Sequence, residues 1–173
     1  DHIIGAGVLS RRYGIPIYAN EKTWEAMRLS LNNINPDCIR FFSTGQPFQI
    51  GDIEVNTFNT PHDAVEPVGF NFFCNRKKVT IATDIGHINR PLLNNLIGSD
   101  IILLESNHDI EMLKVGRYPW PLKQRIMSDK GHLCNEMAAK VVAYLAVNGT
   151  KKFLLGHLSK ENNFPELAFQ TVK

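Results

Sequence analysis

Apolar residues recur along this chain in two rhythms. Short runs rich in apolar and β-branched residues at 15–19, 39–42, 48–50, 53–60, 68–74, 79–83, 101–105 and 153–156 read as strands. Between them, apolar positions spaced three and four apart predict helices at 4–13, 20–31, 89–97, 135–147 and 165–172, with a short one at 109–114. Punctuation supports these limits. Gly14 stops the first helix, Asn20 can cap the second, and Gly51-Asp52 turns one strand into the next. Asn75-Arg76-Lys77-Lys78 is a basic turn joining the strands at 68–74 and 79–83. Residues 116–122, with Pro119 and Pro121, read as a loop. The run 101–104 is apolar throughout, as in a strand covered on both faces. Helix-strand alternation without repeats or linkers predicts one α/β domain over residues 1–173.

Composition narrows the function classes. Apolar residues make up 43% and charged residues 21% of the 173, the balance of a folded globular domain. No apolar run approaches the roughly 18 residues that span a bilayer, so no membrane partner is expected. A net charge of +2 neither requires nor excludes nucleic acid. Cys38, Cys74 and Cys134 are scattered, which argues against a disulfide framework and for a reducing cytoplasm. The chain opens on Asp1-His2 with no leader in view and reads as a stretch of a longer protein.

His62, Asp84, Glu105 and His157 each fall at, or within two residues after, the end of a predicted strand. Groups at strand ends converge on one edge of an α/β sheet, where ligands bind. Imidazole and carboxylate are the ligands that zinc, manganese and iron take. Singly, each has an ordinary explanation: His62 in a turn, Asp84 as a cap, His157 at a helix start, Glu105 paired with a nearby cation. Together the four point to a metal site.

Asp1-His2 resembles the end of the His-x-His-x-Asp-His signature of the metallo-β-lactamase superfamily. Thr60-Pro61-His62-Asp63, Thr83-Asp84 and Gly156-His157-Leu158-Ser159 resemble its later motifs, in order. The stretches from Leu104 to Asp109, Gly131 to Asn135 and Leu158 to Asn163 resemble its exonuclease-like YycJ/WalJ branch. The resemblance implies an αββα sandwich, here incomplete because the first sheet's strands and the His-x-His pair precede Asp1. It implies two divalent metal ions (zinc, manganese or iron), with Asp84 bridging them. Asp1, His2 and His157 would serve one ion, and His62 the other. Asp1 would also orient the nucleophilic water. The implied activity is metal-dependent hydrolysis by a metal-bound hydroxide, with a phosphodiesterase or nuclease acting on DNA as the leading expectation. The alternatives are a small ester, thioester, lactam or cyclic phosphodiester as substrate, or a non-catalytic scaffold.

Glu105 suits a carboxylate that orients a metal-bound histidine. His132, just before a helix, suits a group that holds the scissile phosphate or protonates the leaving oxygen, its alternative being a capping role. His87 and His108 are expected to line the cleft. The cations Lys114, Arg117, Lys123, Arg125 and Lys130, interleaved with Tyr118 and Trp120, suit a nucleic-acid groove. The alternative is a solvated basic helix with Trp120 in the core.

Overall fold

The computed structural model describes residues 3, 5–31 and 33–173. These divide into two compact units, Asp1–Gln46 and Pro47–Lys173. In the first unit, helix α1 (Ala6–Tyr13) ends on Gly14, whose φ of 65° is the left-handed stop that glycine supplies. Strand β1 (Ile17–Ala19) leads into α2 (Glu21–Met27), capped by the Asn20 side chain accepting from the Thr23 N–H. The expected run of this helix to about Leu31 is shortened: residues 28–30 form turns, and Leu31 instead packs with Ala19, Trp24 and Met27 in a small core. A 3-10 turn at Pro36–Cys38 precedes β2 (Ile39–Phe41), which pairs parallel with β1.

The second unit is built on a six-stranded sheet in simple sequence order: β3 (Phe48–Ile50), β4 (Ile53–Asn59), β5 (Val68–Cys74), β6 (Lys77–Ala82), β7 (Ile101–Glu105) and β8 (Lys152–Gly156). The first four pair antiparallel, and β6, β7 and β8 run parallel. Consequently β4, β6, β7 and β8 all point the same way, and their C-terminal ends share one edge.

Helices α3 (Arg90–Leu96), α4 (Ile110–Val115), α5 (Trp120–Ile126), α6 (Asn135–Val147) and α7 (Pro165–Val172) complete this unit. Ala138, Val141 and Leu145 form the buried stripe of α6 and pack with Leu92 and Leu96 of α3 and Ile102 and Leu104 of β7. Burying each such leucine or isoleucine contributes about 1.5–3 kcal/mol.

Two sequence expectations are corrected here. Residues 116–122 are not all loop, because α5 starts at Trp120. Pro119 is its N-cap and Pro121 sits in its first turn, where a missing N–H costs nothing. The hairpin between β5 and β6 turns on Asn75 and Arg76 alone, with φ of 48° and 60°, so Lys77 and Lys78 belong to the strand. Positive φ at both central residues gives the turn whose twist matches the flanking strands. No helix among the described residues is long and apolar enough to cross a membrane.

Candidate metal centre

The common edge of the four co-directional strands gathers the predicted groups. Asp84 lies two residues past β6, Glu105 is the last residue of β7, His157 follows β8 directly, and His62 stands three residues past β4. His132 joins them from the loop between α5 and α6. Asp84, Glu105, His132 and His157 each offer a ligand atom, all within 4.8 Å of one another. The His132 ring lies between those of His62 and His157, with centroids 4.9 and 5.2 Å away. Asp1 and His2, the remaining expected ligands, lie outside the described residues.

Glu105 is the base of this arrangement. Its side chain is 0% exposed. Oε1 accepts from Nδ1 of His157 at 2.7 Å and from Nδ1 of His132 at 2.8 Å, while Oε2 accepts from the Ile85 N–H at 2.7 Å. Burial pushes this carboxyl up, but the bonds from His132 and His157 outweigh it and hold it below the usual range. The same bond to Glu105 pushes His157 up, against the effect of its own burial. The ordinary explanation, a strand-end glutamate paired with lysine or arginine, does not describe Glu105.

His62 Nδ1 lies 2.9 Å from the carbonyl oxygen of Gly131, which only accepts, so the ring proton sits on Nδ1. Neutral His62 therefore presents a bare Nε2, 3.7 Å from Asp84 Oδ1. Neutral His157, with Nδ1–H on Glu105, presents its Nε2 at 3.6 Å from the same oxygen. These separations are too long for hydrogen bonds. They suit atoms sharing a cation at the roughly 2.0–2.2 Å of nitrogen and carboxylate ligands. Two imidazole lone pairs and a carboxylate oxygen converging on one space repel one another unless a proton or cation lies between them. The donor set therefore fits a divalent metal.

The backbone is shaped to make this possible. Asp84 and His157 both have φ of 55°. Among the described residues only these two and the pair in the β5–β6 turn are non-glycine residues at positive φ. Such a conformation costs about 1–3 kcal/mol and persists only where its surroundings impose it. Glycines allow the loops to approach closely. A Cβ on Gly86 would fall 2.3 Å from the Asp129 carbonyl oxygen, and one on Gly131 would fall 2.1 Å from that of Ile126.

The stretches 104–109, 131–135 and 158–163 interlock behind the site. Asn107 N–H donates to Leu133, Asn135 N–H to His108, Ser159 N–H to Asn107, and Asp109 N–H to Asn162, all at 2.7–3.0 Å. Buried Asn135 and Asn163 exchange amide hydrogen bonds, and Asn163 also donates to the Ser106 carbonyl at 2.8 Å. The Asn107 amide donates to the His157 carbonyl at 2.8 Å, fixing the loop that presents that imidazole. The sequence shows these three stretches but not that they interlock. Their clustered asparagines were the available signal.

His87 and His108 do line a cavity, of about 360 Å³, on the His132 side of the cluster. His108 is 2% exposed, and burial pushes it down to about 4. The basic segment departs from expectation. Lys123 is only 8% exposed and donates to the Lys114 carbonyl at 2.6 Å, closing the end of α4. Arg125 makes a two-pronged salt bridge with Asp63, which holds that carboxyl below its usual range. Lys114 pairs with Glu111 at 2.8 Å. Trp120 is 60% exposed, which removes the reading of it as a core residue.

Similarity to known proteins extends along the chain. The family model for the β-lactamase superfamily domain matches residues 1–158. An exodeoxyribonuclease YycJ of Bacillus anthracis is 47% identical over 172 residues, covering 99% of this chain and 65% of its own. An exodeoxyribonuclease WalJ of Streptococcus pneumoniae serotype 2 is 45% identical over 174 residues, with the same coverage. This chain thus spans about two-thirds of the length of those relatives, 65%. The crystal structure of the metallo-β-lactamase fold protein YhfI from Bacillus subtilis superimposes with a TM-score of 0.71 at 17% identity, over 100% of this chain and 66% of that one.

Proposed function

This chain belongs to the β-lactamase superfamily, and from that we propose that the protein is a divalent-metal-dependent phosphodiesterase that degrades DNA from an end. The observation that carries the metal-dependent hydrolase is the convergence of His62 Nε2 and His157 Nε2 on Asp84 Oδ1 above buried Glu105. The choice of DNA rests on the two exodeoxyribonuclease relatives. The basic segment does not support it, since Lys114, Lys123 and Arg125 are engaged within the chain.

In this reading His62, Asp84 and His157 would hold metal, Asp84 as the central carboxylate, and Asp1 and His2 would complete the set. Zinc, manganese and iron all suit such mixed ligands. A bound ion supplies Lewis acidity and a nucleophile at neutral pH. The chain's own groups do the rest. Glu105 keeps the Nδ1 proton of His157 in place and turns Nε2 toward Asp84. Glu105 also holds His132, which steadies the scissile phosphate or delivers a proton to the leaving oxygen. Cys38, Cys74 and Cys134 are free thiols, in keeping with a cytoplasmic location.

The test uses the full-length protein with metal analysis and end-labelled DNA and RNA. Wild type loaded with zinc or manganese should shorten DNA from an end, and chelation should stop it. His157→Ala should lose bound metal and at least 100-fold in rate. Undiminished hydrolysis by that variant would remove His157 from the centre, and no hydrolysis of DNA by the metal-loaded wild type would end the nuclease reading.

A further inference from the structure

We propose that the cavity on the His132 side of the cluster is a pocket for a single terminal nucleobase. The proposal rests on the reading of the protein as an end-directed DNA hydrolase and names the part of the substrate that its pocket takes.

The cavity, of about 360 Å³, shares His132 with the metal-binding cluster, so a group inside it lies next to the reacting phosphate. Its volume is at the low end of the roughly 300–1,000 Å³ of small-molecule clefts, room for one ring system rather than a run of nucleotides. Ile88, Ile110, Met127 and Met137 give it apolar walls. Methionine adapts its shape to flat rings and makes favourable sulfur–aromatic contacts. Leu133, 1% exposed, and His108, 2% exposed, close its inner side. A base seated against these two buried side chains meets packed protein on that side, which suits the last base of a strand.

A second cavity, of about 370 Å³, shares His62 with the cluster and is lined by Pro61, Val65 and Lys130. His87 and Asp129 line both cavities, joined by a contact of 2.8 Å between His87 Nδ1 and the Asp129 carbonyl. This pair forms a partition. The terminal base sits on the methionine side, the phosphodiester lies at the histidines, and the remaining strand leaves past Lys130. Apolar walls read the face of a base and not its edge, so the pocket accepts every base, as stacking sites do.

The experiment compares binding of dAMP, dTMP and 2-deoxyribose 5-phosphate to the metal-loaded full-length protein by calorimetry. Both nucleotides should bind at least tenfold tighter than the base-free sugar phosphate, and within about fivefold of each other. Met137→Trp and, separately, Ile110→Trp fill the cavity. Each should abolish the preference while leaving deoxyribose 5-phosphate affinity within twofold of wild type. Equal affinities in wild type, or a preference that survives both substitutions in folded variants, would overturn the pocket. Turnover separates this from the broader reading. DNA with an abasic terminal nucleotide should be cut at least tenfold more slowly by wild type, with no such difference in Met137→Trp. Hydrolysis indifferent to the terminal base sinks the pocket alone. A base preference in binding with no hydrolysis of any DNA sustains the pocket and sinks the hydrolase.

Discussion

Glu105 shows how much chemistry one residue can concentrate. A single buried oxygen holds two imidazoles that lie 27 and 52 positions further along the chain. The sequence places Glu105 at a strand end beside apolar residues, and that much was legible. Its partners were not, because only the fold brings them within 3 Å. Nor was the left-handed backbone of Asp84 and His157, since neither residue type announces it. Glu105→Gln keeps the shape but offers His132 and His157 a neutral amide oxygen in place of a charged carboxylate one. It should weaken metal binding about 10–100-fold, measured by competition with a chelating dye. Metal affinity unchanged within twofold would show that Glu105 does not position the ligands. His108 supplies a pH dependence. Between its ordinary value near 6.5 and its value of about 4 in the fold, the unfolded chain binds a proton that the native chain does not. Stability therefore falls as pH drops through that interval, by up to about 3 kcal/mol. His157 is shifted the other way, so its contribution changes above 6.5 instead. His108→Gln should flatten the melting-temperature profile between pH 6.5 and 5, and parallel profiles for the two proteins would refute it.

At the scale of elements, strands read well and turns read partly. β7, α6 and α7 have the limits that periodicity predicts, because each has a continuous apolar run or stripe. α5 was hidden by its two prolines, which mark a helix start as readily as a loop. The β5–β6 turn was expected to take four residues, yet two in the left-handed region suffice. Arginine tolerates that region poorly, at about 1–2 kcal/mol, whereas glycine adopts it freely at some entropic loss. Arg76→Gly should thus stabilise the protein by about 0.5–1 kcal/mol, and Arg76→Val should destabilise it by more than that, as read from urea unfolding. A glycine variant less stable than wild type would mean that the Arg76 side chain, not its backbone, matters in the turn.

For the whole molecule, the α/β class was legible in the alternation of elements and the candidate metal centre in an ordered set of polar residues at strand ends, while strand direction was not. That direction follows from the pairing: three antiparallel steps, then two parallel ones, leave β4, β6, β7 and β8 aligned. The opposite edge of the sheet consists of turns: Gly51-Asp52, Asn75-Arg76, Gly98 with Ser99, and Asn148 to Lys151. None of them carries a group of the candidate metal centre. The far rim is therefore a natural handle. A dye, an affinity tag or a surface anchor grafted at Gly51-Asp52 stands a full strand length from the chemistry, so the protein can be labelled or immobilised with its cleft still facing the solution.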